Sequence, residues 1–166
     1  MYVYKQNVSD GGSLASRIKK LGSLPERTIQ SYTFQLLDSL KYIHAKNIVH
    51  RDIKGQNILV TRDDQIKLID FGCGKRLRRS MHNADALKTM RGTPYWMSPE
   101  VITGNGHGIK SDIWSLACTV FEMLSGHPPW FVRFILSMHT CSVYCLLSSS
   151  KLALLRFCSL AKKKSF

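Results

Sequence analysis

Apolar residues recur at Ile29, Tyr32, Leu36, Leu40 and Ile43, the three-to-four spacing of a helix that buries one face. Pro25 suits a first helical turn, where a missing N–H costs nothing, and Glu26 follows it, so a long helix is predicted from Pro25 onward. After Lys46-Asn47 the period shortens. Residues 57–60 and 66–69 are β-type runs separated by the polar stretch Thr61-Arg62-Asp63-Asp64, which predicts a small hairpin. Residues 70–109 are rich in glycine and polar groups and keep no period, which predicts a long irregular segment of the kind that carries function or stays unstructured. Residues 112–124 are then apolar nearly all round, with Ser111 before them and Gly126 after, which predicts a buried helix with Ser111 as its N-cap.

Composition alters this picture mainly at one end. With 166 residues, 44% of them hydrophobic, the chain can form one domain with a core. The formal net charge is +13, and the last 36 residues carry six Lys or Arg and no acid. Such a balance concerns association rather than fold, and no basic-aromatic recognition module accompanies it, which argues against nucleic-acid binding. The uncharged run 134–150 is short and polar for a membrane span, so stable membrane insertion is not expected. The cysteines, at 73, 118, 141, 145 and 158, are odd in number, and nothing at Met1 reads as a cleavable leader, so no disulfide framework is expected. Cys141, Cys145 and nearby His139 lack the second ligand pair that a zinc site needs.

The chemistry concentrates in two motifs. His50-Arg51-Asp52-Ile53-Lys54-Gly55-Gln56-Asn57 is followed, thirteen positions after Asn57, by Asp70-Phe71-Gly72. Isolated Asp and Asn are most often solvated turn residues, but their joint occurrence in this pattern is not a chance arrangement. Together the motifs resemble the catalytic loop and metal-binding triplet of protein kinases. The resemblance implies that Asp52 receives the proton of an acceptor hydroxyl, that Lys54 neutralises charge on the transferred phosphate, and that Asn57 and Asp70 are oxygen ligands of Mg²⁺. Lys54, Asn57, Leu59 and Asp70 would meet ATP and its metal, and His50, Arg51, Phe71 and Gly72 would support them. Such chemistry needs alignment and charge neutralisation more than covalent catalysis, hence hard oxygen donors. A lysine two residues after the aspartate resembles the serine/threonine kinases.

A third block, Gly92-Thr93-Pro94-Tyr95-Trp96-Met97-Ser98-Pro99-Glu100, resembles the end of a kinase activation segment, with Ser98 where alanine is common. The likeness implies that Thr93 contacts the catalytic aspartate and that Glu100 pairs with a later arginine, for which Arg133 or Arg156 would have to substitute. Asp112-Ile113-Trp114-Ser115 resembles the start of the large lobe's central helix, whose aspartate holds the catalytic-loop backbone. Between Gly72 and Gly92 lie Arg76, Arg78, Arg79, Ser80, Thr89 and Arg91, and a phosphate on Thr89 would form charge-assisted bonds to Arg51. The activator would be an upstream kinase or autophosphorylation.

Gly11-Gly12-Ser13-Leu14, Leu24-Pro25-Glu26-Arg27, Asn47-Ile48-Val49 and Asp70-Phe71-Gly72-Cys73 narrow the likeness to the MAP kinase kinase kinase branch. That implies a cytoplasmic enzyme phosphorylating a MAP kinase kinase. The expected fold is mainly α (α+β): a kinase-like large lobe over residues 11–130 with a small hairpin, a hinge remnant over 1–10, and an unrelated basic tail, rich in Ser and Cys, over 131–166. The glycine-rich phosphate loop, strand lysine and helix glutamate of the small lobe have no counterpart in the 166 residues. This chain alone is therefore expected to be inactive, and the alternatives to a catalytic role are a docking module or an incomplete gene model.

Overall fold

A computed structural model describes residues 11–76 and 92–129, all within a compact unit spanning Met1–Pro129. The first helix, α1 (Leu14–Leu21), was not anticipated from the periodicity. It starts at Ser13, whose hydroxyl accepts the Ser16 N–H at 3.1 Å, and ends at Gly22, whose φ of 74° is glycine's preserve. Lys19 and Lys20 occupy its last turn, where the helix dipole favours cations, and Leu14 and Ile18 face the core.

The predicted long helix is α2 (Glu26–Ala45), with Pro25 as its N-cap. All five residues of the apolar stripe are buried, Leu40 completely. Two-residue strand β1 (Ile48–Val49) follows, and the predicted hairpin forms as β2 (Ile58–Val60) and β3 (Ile66–Leu68) in the antiparallel register Ile58↔Leu68, Val60↔Ile66. Its turn is tied to both helices: Arg17 of α1 and Tyr32 of α2 donate to the same Asp64 Oδ1, at 2.6 and 2.8 Å. Burial first, and that bond second, push the Tyr32 phenol up to about 12.

Among its described residues, the predicted irregular segment holds four regular features, the first a 3₁₀ turn over Phe71–Cys73. Strand β4 (Lys75–Arg76) pairs antiparallel with β1, α3 (Pro99–Ile102) is a single turn, and Pro94–Trp96 is a 3₁₀ turn. None is long enough to show a period. The predicted buried helix is α4 (Ile109–Ser125), closed by Gly126 at φ 80°. Ser111 is not its N-cap. Gly108 holds that place, and Ser111 sits one turn inside, its hydroxyl accepting the Gly108 N–H at 3.0 Å. α4 packs against α2, and Leu116, Thr119 and Met123 lose all their exposure. No helix among the described residues is long and apolar enough to cross a membrane. Run 134–150, the hinge residues 1–10 and tail 131–166 lie outside the described residues.

Candidate active site

The site is built from the core outward, starting at a buried carboxylate. Asp112, in the first turn of α4, is 1% exposed, and such a group survives burial only with partners. Its Oδ1 accepts the Arg51 N–H at 2.9 Å, and its Oδ2 accepts the His50 N–H at 2.9 Å and stands 2.8 Å from His44 Nε2. Three donors from two elements therefore converge on one carboxylate. The arrangement fixes the backbone just where Arg51 takes a left-handed φ of 70°, a conformation that a side chain with Cβ adopts only under restraint.

His50 itself is fully buried. Its Nε2 lies 3.0 Å from the Ile69 carbonyl and must donate, which leaves Nδ1 to accept the Asp52 N–H at 3.3 Å. Burial holds its pKa below the usual imidazole range, although the Ile69 bond and the carboxylates of Asp112, Asp52 and Asp70 pull the other way. A neutral ring thus joins the loop of residues 50–57 to the end of β3. Phe71 packs edge-on against it, ring centroids 4.7 Å apart. The Arg51 guanidinium turns toward the same segment, Nε donating to the Cys73 carbonyl.

Asp52 emerges from this frame with three donors on its side chain. Lys54 Nζ is 2.8 Å from Oδ2, Asn57 Nδ2 donates to Oδ2 at 2.8 Å, and Thr93 Oγ1 donates to Oδ1 at 2.9 Å. Lys54 Nζ also donates to Thr93 Oγ1 at 2.6 Å, which closes the triangle. Burial raises the Asp52 pKa, but the bonds from Lys54, Thr93 and Asn57 outweigh it and bring the carboxyl below its ordinary value. Asp52 is therefore ionised at neutral pH, as a proton acceptor must be.

Asn57 sits in the 3₁₀ turn Gly55–Asn57 that leads into β2, and its Nδ2 also donates to the Asp52 carbonyl at 2.8 Å. With the amide nitrogen committed twice to Asp52, its oxygen is the end left for a cation. Asp70 follows β3, where the Ile69 N–H reaches the Asn57 carbonyl at 2.9 Å, so the hairpin brings the two residues to the same end. Asp70 takes a left-handed φ of 62°, and its Oδ1 accepts the Gly72 N–H at 3.2 Å. An amide and a carboxylate oxygen at one end of a hairpin fit Mg²⁺, which typically takes one or two protein oxygens and completes its shell with phosphate and water. No group of three or more His, Cys, Asp or Glu able to hold a metal occurs among the described residues.

The remaining expected residues are spread around this centre. Leu59 lies in β2 opposite Lys67 and bridges to Ser13 ahead of α1. Glu100, in α3, accepts from the Ser111 hydroxyl at 3.3 Å. Its expected partners Arg133 and Arg156, the candidate phosphoacceptors Ser80 and Thr89, and Arg78, Arg79 and Arg91 lie outside the described residues. Sequence reasoning missed two groups. His44 reaches the site from the last turn of α2, where nothing in the sequence separates it from an ordinary helix-end residue. Glu122 is 5% exposed in α4, with Oε2 where a Cβ on Gly55 would come within 3.2 Å. Burial raises its pKa, against opposing bonds from Trp96 and the Gly55 backbone. The available signal was an acid inside an otherwise apolar run.

The family model of the protein kinase domain matches residues 2–150. The chain is 55% identical over 122 residues to mitogen-activated protein kinase kinase kinase 19 of Mus musculus, covering 72% of the chain and 9% of that protein. It is 50% identical over 120 residues to mitogen-activated protein kinase kinase kinase 3 of Homo sapiens, covering 72% of the chain and 19% of that protein. The Arabidopsis thaliana protein called mitogen-activated protein kinase kinase kinase 3 is 52% identical over 124 residues, 75% of the chain and 19% of its own length. The chain thus spans about a fifth or less of the curated relatives it matches.

Proposed function

We propose that this chain, which belongs to the protein kinase family and is similar to MAP kinase kinase kinases, supplies the catalytic loop of an ATP-dependent serine/threonine kinase acting on a MAP kinase kinase. The convergence of Lys54, Thr93 and Asn57 on the ionised Asp52 carboxylate is the observation that carries this reading. In the reaction, the acceptor oxygen forms a bond to the γ-phosphorus, the bond from that phosphorus to the β,γ-bridging oxygen breaks, and the hydroxyl proton passes to Asp52. Lys54 offsets negative charge gathering on the transferred group, and Thr93 fixes both partners. Asn57 and Asp70 would hold Mg²⁺, which supplies charge neutralisation on the phosphates. ATP and Mg²⁺ are the family's general requirements. The small-lobe groups that also grip the nucleotide are absent from these 166 residues, so turnover is assigned to a form of the protein that includes them.

Replacing Asp52 by Asn in the full-length natural product tests the proposal. Transfer to a MAP kinase kinase should fall roughly 10²–10⁴-fold, the usual contribution of a positioned proton acceptor. Undiminished turnover would refute it.

A further inference from the structure

Ser98 is the N-cap of α3, a place where a serine hydroxyl ordinarily accepts an N–H of the first turn, yet its side chain makes no such bond. The Val101 and Ile102 N–H groups go to the Ser98 carbonyl instead, at 3.0 and 3.1 Å. Ser98 is 1% exposed, and among the described residues its Oγ has no hydrogen-bond partner. A buried hydroxyl in that position costs the fold more than a made bond returns, so it calls for a partner that is not a protein group.

A cavity of about 10 Å³ adjoins Ser98, walled by residues of the segment 92–98, of the loop 51–53 and of α4. That is the room of one water molecule and of nothing larger. Several polar side chains on the wall are already engaged: Asp112 with the backbone of His50 and Arg51, Thr93 with Asp52 and Lys54, and Ser111 with Gly108 and Glu100. The buried His107 ring borders the cavity as well. Ser115 differs from these. Its single proton serves the Trp96 carbonyl at 2.7 Å or the Ser111 carbonyl at 3.1 Å, and among the described residues no donor reaches its Oγ. Two hydroxyls with unused capacity, Ser98 with a proton to give and Ser115 with lone pairs to offer, thus border one water-sized space. A buried water requires two to four such partners.

We infer that this cavity is the binding site of one structural water, which accepts the Ser98 proton and donates to Ser115 Oγ, tying the entrance of α3 to the middle of α4. Ser115 already holds the Trp96 carbonyl, so the water is a second tie between α4 and the segment that carries Thr93 to Asp52. The site stands whether or not the chain transfers phosphate.

Ser98→Ala in the full chain reads the site through the sign of its effect on stability. The hydroxyl caps nothing and bonds to no described protein group, so in a dry cavity its removal relieves an unmet polar atom and the urea midpoint rises. With the water bound, removal strips that water of a partner. The midpoint should then fall, and the unfolding equilibrium constant should rise roughly 2- to 12-fold, the worth of one net hydrogen bond. Made in a Ser115→Ala background, the same substitution should lose most of that effect, because the water has already lost its other partner. A midpoint that holds or rises overturns the inference, as does an effect of equal size in both backgrounds. Should either variant fail to fold, a crystal structure of the unsubstituted full chain decides: a water within about 3.2 Å of both hydroxyls supports the site, and a cavity without one overturns it.

Discussion

Thr93 Oγ1 donates to Asp52 Oδ1 at 2.9 Å, a contact between residues 41 positions apart that ties the segment before α3 to the catalytic loop. The same hydroxyl accepts from Lys54, whose Nζ also stands 2.8 Å from Asp52 Oδ2, so it bridges an ammonium and a carboxylate that are themselves in contact.

Thr93→Val keeps the shape and removes both bonds. A hydrogen bond to a charged group is worth about 1.5–3 kcal/mol, so kcat in the full-length product should fall roughly 10- to 150-fold. Thr93→Ser should stay within about threefold of wild type by the same reckoning. Steady-state phosphorylation of a MAP kinase kinase reads the difference, and equal rates for the Val and Ser variants would show that the hydroxyl has no part in transfer.

Glu122 predicts a pH dependence of stability. Its carboxyl is raised by burial, so the folded chain binds that proton more tightly than the unfolded one does. Stability must then fall as pH rises from the ordinary glutamate range through the raised pKa. Glu122→Gln removes the penalty: its urea midpoint should exceed wild type at neutral pH, and the gap should close below about pH 4. A constant gap across that range would assign the effect to packing instead. His50 acts in the opposite sense, because its lowered pKa costs stability as pH falls below about 6.5.

Two glycines separate backbone strain from collision. Gly92 has φ 121°, and a Cβ there would stand 2.9 Å from the Arg51 carbonyl oxygen, whereas Gly104 has φ 76° and open space around it. Gly104→Ala should cost only the conformational term, about 1–2 kcal/mol. Gly92→Ala adds displacement of the catalytic-loop backbone, and its total should reach about 2–4 kcal/mol when the collision is added to the strain. Denaturant titration of both variants checks the order, which the geometry requires to be Gly92 above Gly104.

Asp70→Asn replaces a carboxylate by an amide beside Asn57 and leaves two neutral oxygens for the cation. In the full-length product, nucleotide affinity measured with and without Mg²⁺ should lose most of its metal dependence in this variant, by about tenfold or 1.4 kcal/mol. An unchanged ratio would remove Asp70 from the metal site.

The fold and the site were legible to different depths. The stripe on α2, the hairpin and the apolar α4 were readable because each repeats a spacing over enough residues to exceed chance. Asp52, Asn57 and Asp70 were readable as motifs, and Asp112 through its place at the head of a buried helix. The pairing of β1 with β4 was not, since two residues a side have no period and Lys75–Arg76 carries no β signature. Ser111 was misplaced because serine beside an apolar run is the usual N-cap sign, while here the turn from Gly108 precedes it. The contribution of His44 to Asp112 spans 68 positions and depends on the crossing of α2 with α4, which no local pattern encodes.

The short ladder of Ile48–Val49 with Lys75–Arg76 has a mechanical meaning. Together with the covalent chain it closes a ring through residues 49–75, and His50, Asp52, Asn57 and Asp70 all lie on its circumference. The closure is the weakest link of that ring, because one side is fastened to α4 through Asp112 and the other is stiffened by the hairpin. Parting it sacrifices on the order of two backbone hydrogen bonds, about 1–3 kcal/mol, and leaves both fastenings in place. The strand Lys75–Arg76 can thus part from Ile48–Val49 at the cost of a few thermal quanta while Asp52 keeps its seat.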